Sequence, residues 1–191
     1  MNDLMHFDGR AGKAMPVLDF RHQLRALTRP EHDATEALFD PFLNDPDSNL
    51  GWYLAAQRAG LSALFRDQKP EQALCAELVP DLIDRLDHDL QQMGRRSYAV
   101  VTPGPIDPVA CDYLVLGSRL GTEVIRRKLF ASAERKTVPS YFQTVSDTNL
   151  WREHCAILDQ IDPTTARART IIKDVRRGFR IFETAAQSQQ D

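Results

Sequence analysis

Of the five histidines in this 191-residue chain, His32 has the neighbours that suggest chemistry. Arg25 precedes it by seven residues. On a helix that offset is nearly two turns, so both side chains project from one face, about 10 Å apart along the axis. A neutral imidazole can ligate a metal, and an arginine can pair with carboxylates. Together they suit a ligand with a metal at its centre and carboxylates at its edge. A lone helical histidine is more often a plain surface residue, and that reading stays open. The other histidines offer less. His6 lies in an unpatterned N-terminal stretch, His22 on a face shared with solvent, and His88 among acids on a polar face. The setting of His154 fits burial or exposure. No His-x-x-x-His pair, phosphate loop, Gly-x-Gly-x-x-Gly or Gly-x-Ser-x-Gly occurs, which argues against a zinc hydrolase, a nucleotide-binding loop and a serine nucleophile. Cys75, Cys111 and Cys155 are an odd number at irregular spacing. They form neither a disulfide framework nor a zinc motif and read as small apolar residues in a reducing cytoplasm.

A second constellation is the stretch from Tyr113 to Ile125. Leu114, Leu116, Leu120, Val124 and Ile125 follow helical spacing. Gly117 and Gly121 interrupt that helix, each at a cost of about 1 kcal/mol relative to alanine. Four residues apart, they bare one face, which could receive another helix or a flat ligand.

The elements that must position these residues are helical throughout. Residues 1–15 read as a loose tail, 16–187 as one helical domain and 188–191 as a frayed end. Helical pattern begins near Val17. Thr28-Arg29-Pro30-Glu31 spells a capping box with proline in the first turn, so a helix start or kink is expected there. Asp40 to Ser48 reads as a loop, and Asn49 to Asp67 as a helix. Pro70 opens a short helix to about Val79, and Pro80-Asp81 opens another that ends at Met93-Gly94. Residues 95–106 form a loop before the glycine-bearing helix, which starts at Asp107-Pro108 and leaves through Phe130. A short segment at Tyr141-Phe142 follows. One helix then runs from Asp147 to Ile161, and a last one from Asp162-Pro163 with Ile171, Ile172, Val175, Phe179 and Phe182 as its apolar face. No segment alternates like a strand, so an all-α single domain of seven to nine helices is expected.

Composition sets the outer bounds. A hydrophobic content of 42% and a net charge of −3 fit a globular protein without a basic surface for nucleic acid. No run is long enough to span a membrane, and the N-terminus lacks the pattern of a secretory leader, so a cytoplasmic protein is expected.

Thr28-Arg29-Pro30-Glu31-His32 resembles the proximal histidine segment of the haem oxygenases, especially the bacterial biliverdin-producing branch. The run Tyr113 to Gly121 resembles their glycine-rich distal helix. Leu86 to Gly94, Tyr141-Phe142, Trp151 and the aromatic last helix with Phe179 and Phe182 extend the likeness from about residue 18 to 186. The resemblance implies a haem sandwiched between two helices. His32 would be the proximal iron ligand, and Gly117, Ser118 and Gly121 would form the catalytic distal face. Arg25 and Arg152 would meet the propionates, with Tyr113 and Phe179 completing the haem-binding set. It implies haem as both substrate and cofactor, cleaved with oxygen and reductant to biliverdin, carbon monoxide and ferrous iron. Electrons would come from an external reductase or ferredoxin, and the product could feed a biliverdin-accepting photoreceptor. Many members carry aspartate directly after the first distal glycine; Ser118 can hold a water there but cannot be an ionised acceptor. Thr122 stands where glycine or alanine is common, and its β-branch is expected to narrow the pocket. The basic clusters Arg95-Arg96, Arg126-Arg127-Lys128 and Arg167 to Arg180 read as a solvated face or as a docking patch for an acidic donor. Two other functions remain on the same residues: a non-catalytic haem carrier or sensor, and a helical interaction protein whose glycines only admit another helix.

Overall fold

Asp19 sets the first helix by accepting a hydrogen bond from the backbone N–H of His22, and α1 then runs unbroken over Phe20–Leu38. The computed structural model describes residues 19–66, 72–101, 104–134, 137–144 and 148–189. The expected tail and the helical pattern at Val17 lie outside them. The expected helix start at Thr28 to Glu31 is not found, since α1 continues through it. Thr28 donates its hydroxyl back to the Leu24 carbonyl at 2.8 Å, so it is not acting as a cap. Pro30 stands inside the helix. Ala26 and Pro30 are both exposed, so the carbonyl that Pro30 cannot serve can meet water.

The expected loop at Asp40 to Ser48 is instead a short helix, α2 (Asp40–Asn44), followed by the first turn of α3 (Pro46–Phe65). Pro41 and Pro46 sit in first turns, where a missing N–H costs nothing, and Asp45 caps α3 through the Ser48 N–H. The expected helix from Pro70 to Val79 is also replaced. Residues 73–77 form no α-helix, Pro70 lies outside the described residues, and α4 (Leu78–Gln92) begins two residues before Pro80. Gly94 ends α4 as expected. At φ 63° it lets its own N–H reach the Gln91 carbonyl and the Arg95 N–H reach that of Leu90.

Asp107 caps the glycine-bearing helix, α5 (Pro108–Leu129), at the expected place. The short α6 (Ser140–Gln143) covers Tyr141-Phe142, and α7 is Thr148–Asp159. The last helix, α8 (Ala166–Ser188), starts three residues after Pro163 because Thr165, not Asp162, is its cap. The expected fraying after Gln187 is not seen at Gln189. Its buried amide pairs with both backbone groups of Tyr98. The eight helices, with no strand among the described residues, form a single all-α domain. No described helix is long and apolar enough to cross a membrane.

α8 is the hub, packed against α1, α3 and α5. Two glycines let it approach closely. A methyl group at Gly60 would overlap the Phe182 ring, and one at Gly178 would overlap the Leu114 side chain. Along α8, Arg176 meets Leu27 and Glu31, Phe179 meets His32, and Glu183 meets Thr35, so α1 runs parallel to α8. Asp174 meets Asp107 and Gly178 meets Leu114, so α5 runs the same way. α1 and α5 barely touch each other; α7 and α8 each pack against both.

Candidate functional site

Three helices position the residues that the sequence singles out. On α1, the His32 side chain is 42% exposed. Its Nδ1 lies 3.2 Å from Asp33 Oδ1 and 3.5 Å from Glu36 Oε2. A carboxylate at Nδ1 favours the tautomer with its proton there, which leaves the Nε2 lone pair for a ligand. The ring stands edge-on to Phe179 of α8, with centroids 5.7 Å apart at 81°. Asp33 is held below the usual carboxylate range chiefly by Arg29, with His32 adding to it. The ligand atoms of His32, Asp33 and Glu36 all lie within 4.8 Å of one another, the only such cluster among the described residues. Both acids are exposed, and Arg29 already occupies Asp33.

One turn before His32, Thr28 lies beside Tyr113 of α5. Burial raises the Tyr113 pKa; the neighbouring Thr28 hydroxyl and the Arg25 guanidinium act in the opposite direction. Arg25 is exposed, and helical geometry puts it on the face that carries His32. Arg25 and Thr28 of α1 and Tyr113 of α5 therefore lie near one another. Beyond Tyr113, an added Cβ at Gly117 would rest 3.7 Å from the Trp151 ring, an ordinary contact. At Gly121 it would meet nothing within 4 Å. The glycine face is thus half-buried against Trp151 of α7 at one end and open at the other. Ser118 is exposed and donates its hydroxyl to the Val115 carbonyl of its own helix.

Two expectations change. Thr122 is buried, donates to the Ser118 carbonyl beside Tyr53, and so faces the core. It does not narrow the glycine face. The basic clusters are not uniformly free. Arg176 and Arg177 are tied to backbone carbonyls and to Glu31 and Asp174, and Arg126 and Arg127 share Glu123. Arg152 lies on the exposed side of α7, bonded to Asn149 and away from the Trp151 contact. Cys75 and Cys111 are buried neighbours, their sulfurs 3.9 Å apart, whereas Cys155 is only half-buried and lies near Arg21.

The donor set fits a haem: an imidazole with a free nitrogen, an arginine on the same face, and an opposing helix surface kept bare by glycine. Two surface depressions, of about 250 and 540 Å³, lie around Arg95 and include none of these residues.

His154 was not placed by its sequence, yet it is fully buried. Both ring nitrogens lack a partner among the described residues, and burial alone lowers its pKa to about 4. It packs beside Tyr113 and Trp151, with centroids 6.1 and 5.7 Å away. The available signal was the spacing Trp151, His154, Leu158, which puts all three on the inward stripe of α7. Against models of known protein families and against curated proteins, the sequence shows no match.

Proposed function

We propose that this protein binds haem between α1 and α5 and is a haem oxygenase, forming biliverdin, carbon monoxide and ferrous iron with electrons from an external reductase or ferredoxin. The supporting observation is the glycine pair. Neither Gly117 nor Gly121 is required by helix packing, since a methyl group fits at both. Close packing accounts for Gly60 and Gly178 instead. A mid-helix glycine that packing does not need fits a backbone kept bare for a flat ligand.

In this reading His32 Nε2 ligates the iron, while Asp33 and Glu36 orient the ring through Nδ1. Phe179 fixes the ring edge, and Arg25 pairs with a propionate at the Tyr113 end. Arg152 reaches the other propionate only by leaving Asn149. Gly117 and Gly121 keep the opposite face clear, and Tyr113 and Trp151 cover its Gly117 end. Haem supplies the iron centre at which oxygen is reduced; the chain supplies position, exclusion of water and proton delivery. One observation favours a non-catalytic carrier or sensor on the same site. Ser118 gives its only proton to Val115, so it has none to offer the glycine face.

Titration of the full chain with ferric haem separates these readings. A Soret band saturating at one haem per chain is expected. His32→Ala should lose the imidazole-ligated spectrum and regain it with added imidazole. Ascorbate under air should then yield biliverdin absorbance from the wild type. An unchanged spectrum in His32→Ala, or loss in His22→Ala instead, would sink the ligand assignment. Binding without biliverdin would leave the carrier, and no one-to-one binding would leave the interaction protein.

A further inference from the structure

The proposed oxygenase reaction consumes protons at the glycine face, and Ser118 is poorly placed to relay them. His154 is a second polar group near that face, with no other task. Its imidazole is buried, and neither nitrogen meets a described partner. Buried polar groups are almost always hydrogen-bonded, to protein or to ordered water, so this site calls for a water. Of its two ring neighbours, Tyr113 precedes Gly117 by about one turn of α5 and Trp151 lies beside Gly117 in space. Tyr113 of α5 is the ionisable side chain in ring contact with it, and on the neighbouring α1 Arg21 is paired with Asp159 of α7. None of them contributes to the shift at His154, which burial alone causes.

We infer that His154 is a positioning residue for the proposed reaction, anchoring an internal water between α5 and α7 through which protons reach the Gly117 face. A neutral imidazole suits this task. It accepts a proton at one nitrogen and releases one from the other, returning to the same charge with no electron transferred. The inference rests on the haem oxygenase reading.

Two measurements on the full chain test it. In the haem-free protein, NMR cross-relaxation between water and the His154 ring protons should reveal a long-lived bound water, lost in His154→Phe. With ferric haem bound, His154→Phe should leave the haem Kd and Soret band unchanged. Biliverdin formation at pH 7 should slow at least about tenfold, with a changed solvent deuterium isotope effect, as removal of a proton relay requires. His154→Gln, which keeps a donor and an acceptor, should recover most of the rate. Absence of the water signal in the wild type, or turnover of His154→Phe within twofold of wild type, overturns the inference. If His154→Phe does not fold, the wild-type water signal and His154→Gln decide it. If the wild type binds haem but makes no biliverdin, the oxygenase reading fails and the relay with it. Loss of the water signal alone removes the relay and leaves that reading intact.

Discussion

At the scale of the residue, His154 sets a pH dependence that needs no ligand. Its folded pKa is about 4, against an unfolded value near 6.5. Between those values the unfolded chain takes up a proton that the folded protein refuses. Stability from this group is therefore full above about pH 6.5 and is lost as pH falls toward 4. The shift is worth about 3 kcal/mol across that window. Urea unfolding at pH 7 and pH 4.5 should show most of that loss in the wild type and little of it in His154→Phe. Equal losses in both would mean that the imidazole is not shielded from bulk solvent as its burial implies. Single residues were unevenly legible. The helical face of Arg25 and His32 could be read from a seven-residue offset, because helix period alone fixes it. His154 could not, since burial of a lone polar side chain depends on what packs over it. Thr122 was misplaced for a similar reason. It follows Gly121 by one residue, but one residue turns about 100° around the helix, into the core.

At the scale of the element, helices were legible and their roles less so. Capping aspartates at Asp107 and spacing in α5 and α8 located those helices, because local chemistry decides them. The helix start expected at Thr28 is absent because packing of α1 along α8 carries the helix through a local breaker. α1 lies along α8 from Leu27 to Thr35, and Thr28 itself is buried and bonded to Leu24. The glycines divide the same way. Sequence marks a helical glycine as unusual but does not say what approaches it. Gly178→Ala must push Leu114 aside between α8 and α5, and overpacking of this kind costs about 1–3 kcal/mol. Gly121→Leu projects into open space and removes a helix-weakening residue, a gain of up to about 1 kcal/mol. Melting of the haem-free variants should therefore move in opposite directions, down for Gly178→Ala and up or unchanged for Gly121→Leu. Gly121→Leu should nevertheless abolish biliverdin formation by filling the proposed distal face. A large fall in its haem-free melting temperature would restore the packing explanation for α5. Normal turnover would remove Gly121 from the site.

At the scale of the whole molecule, buried aspartates tie the helices to the segments between them. Asp112 of α5 accepts from the N–H groups of Leu74 and Cys75, and Asp174 of α8 accepts from that of Asp107. Asp89 of α4 accepts from Ser140 and Tyr141, fixing the start of α6. Through α6 the effect reaches the back of the glycine helix. Arg119 of α5 donates to the Tyr141 and Thr144 carbonyls, and its guanidinium sits 4.8 Å from the Tyr141 ring centroid. Arg119 lies two residues from each glycine, on the opposite side of α5. The proposed site is thus braced from behind by a chain from Asp89 through α6 to Arg119. Such bracing was invisible in sequence, where Asp89 reads as one acid among several beside His88. Asp89→Ala leaves two amide groups of α6 without an acceptor, at a cost of about 2–4 kcal/mol. Asp89→Asn keeps one acceptor oxygen and should lose roughly half of that. Because α6 touches the far side of α5, haem affinity should change by less than about threefold, or under 0.7 kcal/mol. Urea midpoints for the three proteins and one haem titration each check the argument. Undiminished stability in Asp89→Ala would show that α6 is held by its buried aromatic side chains alone. A large loss of haem affinity with an intact fold would show that the brace sets the position of the glycine face.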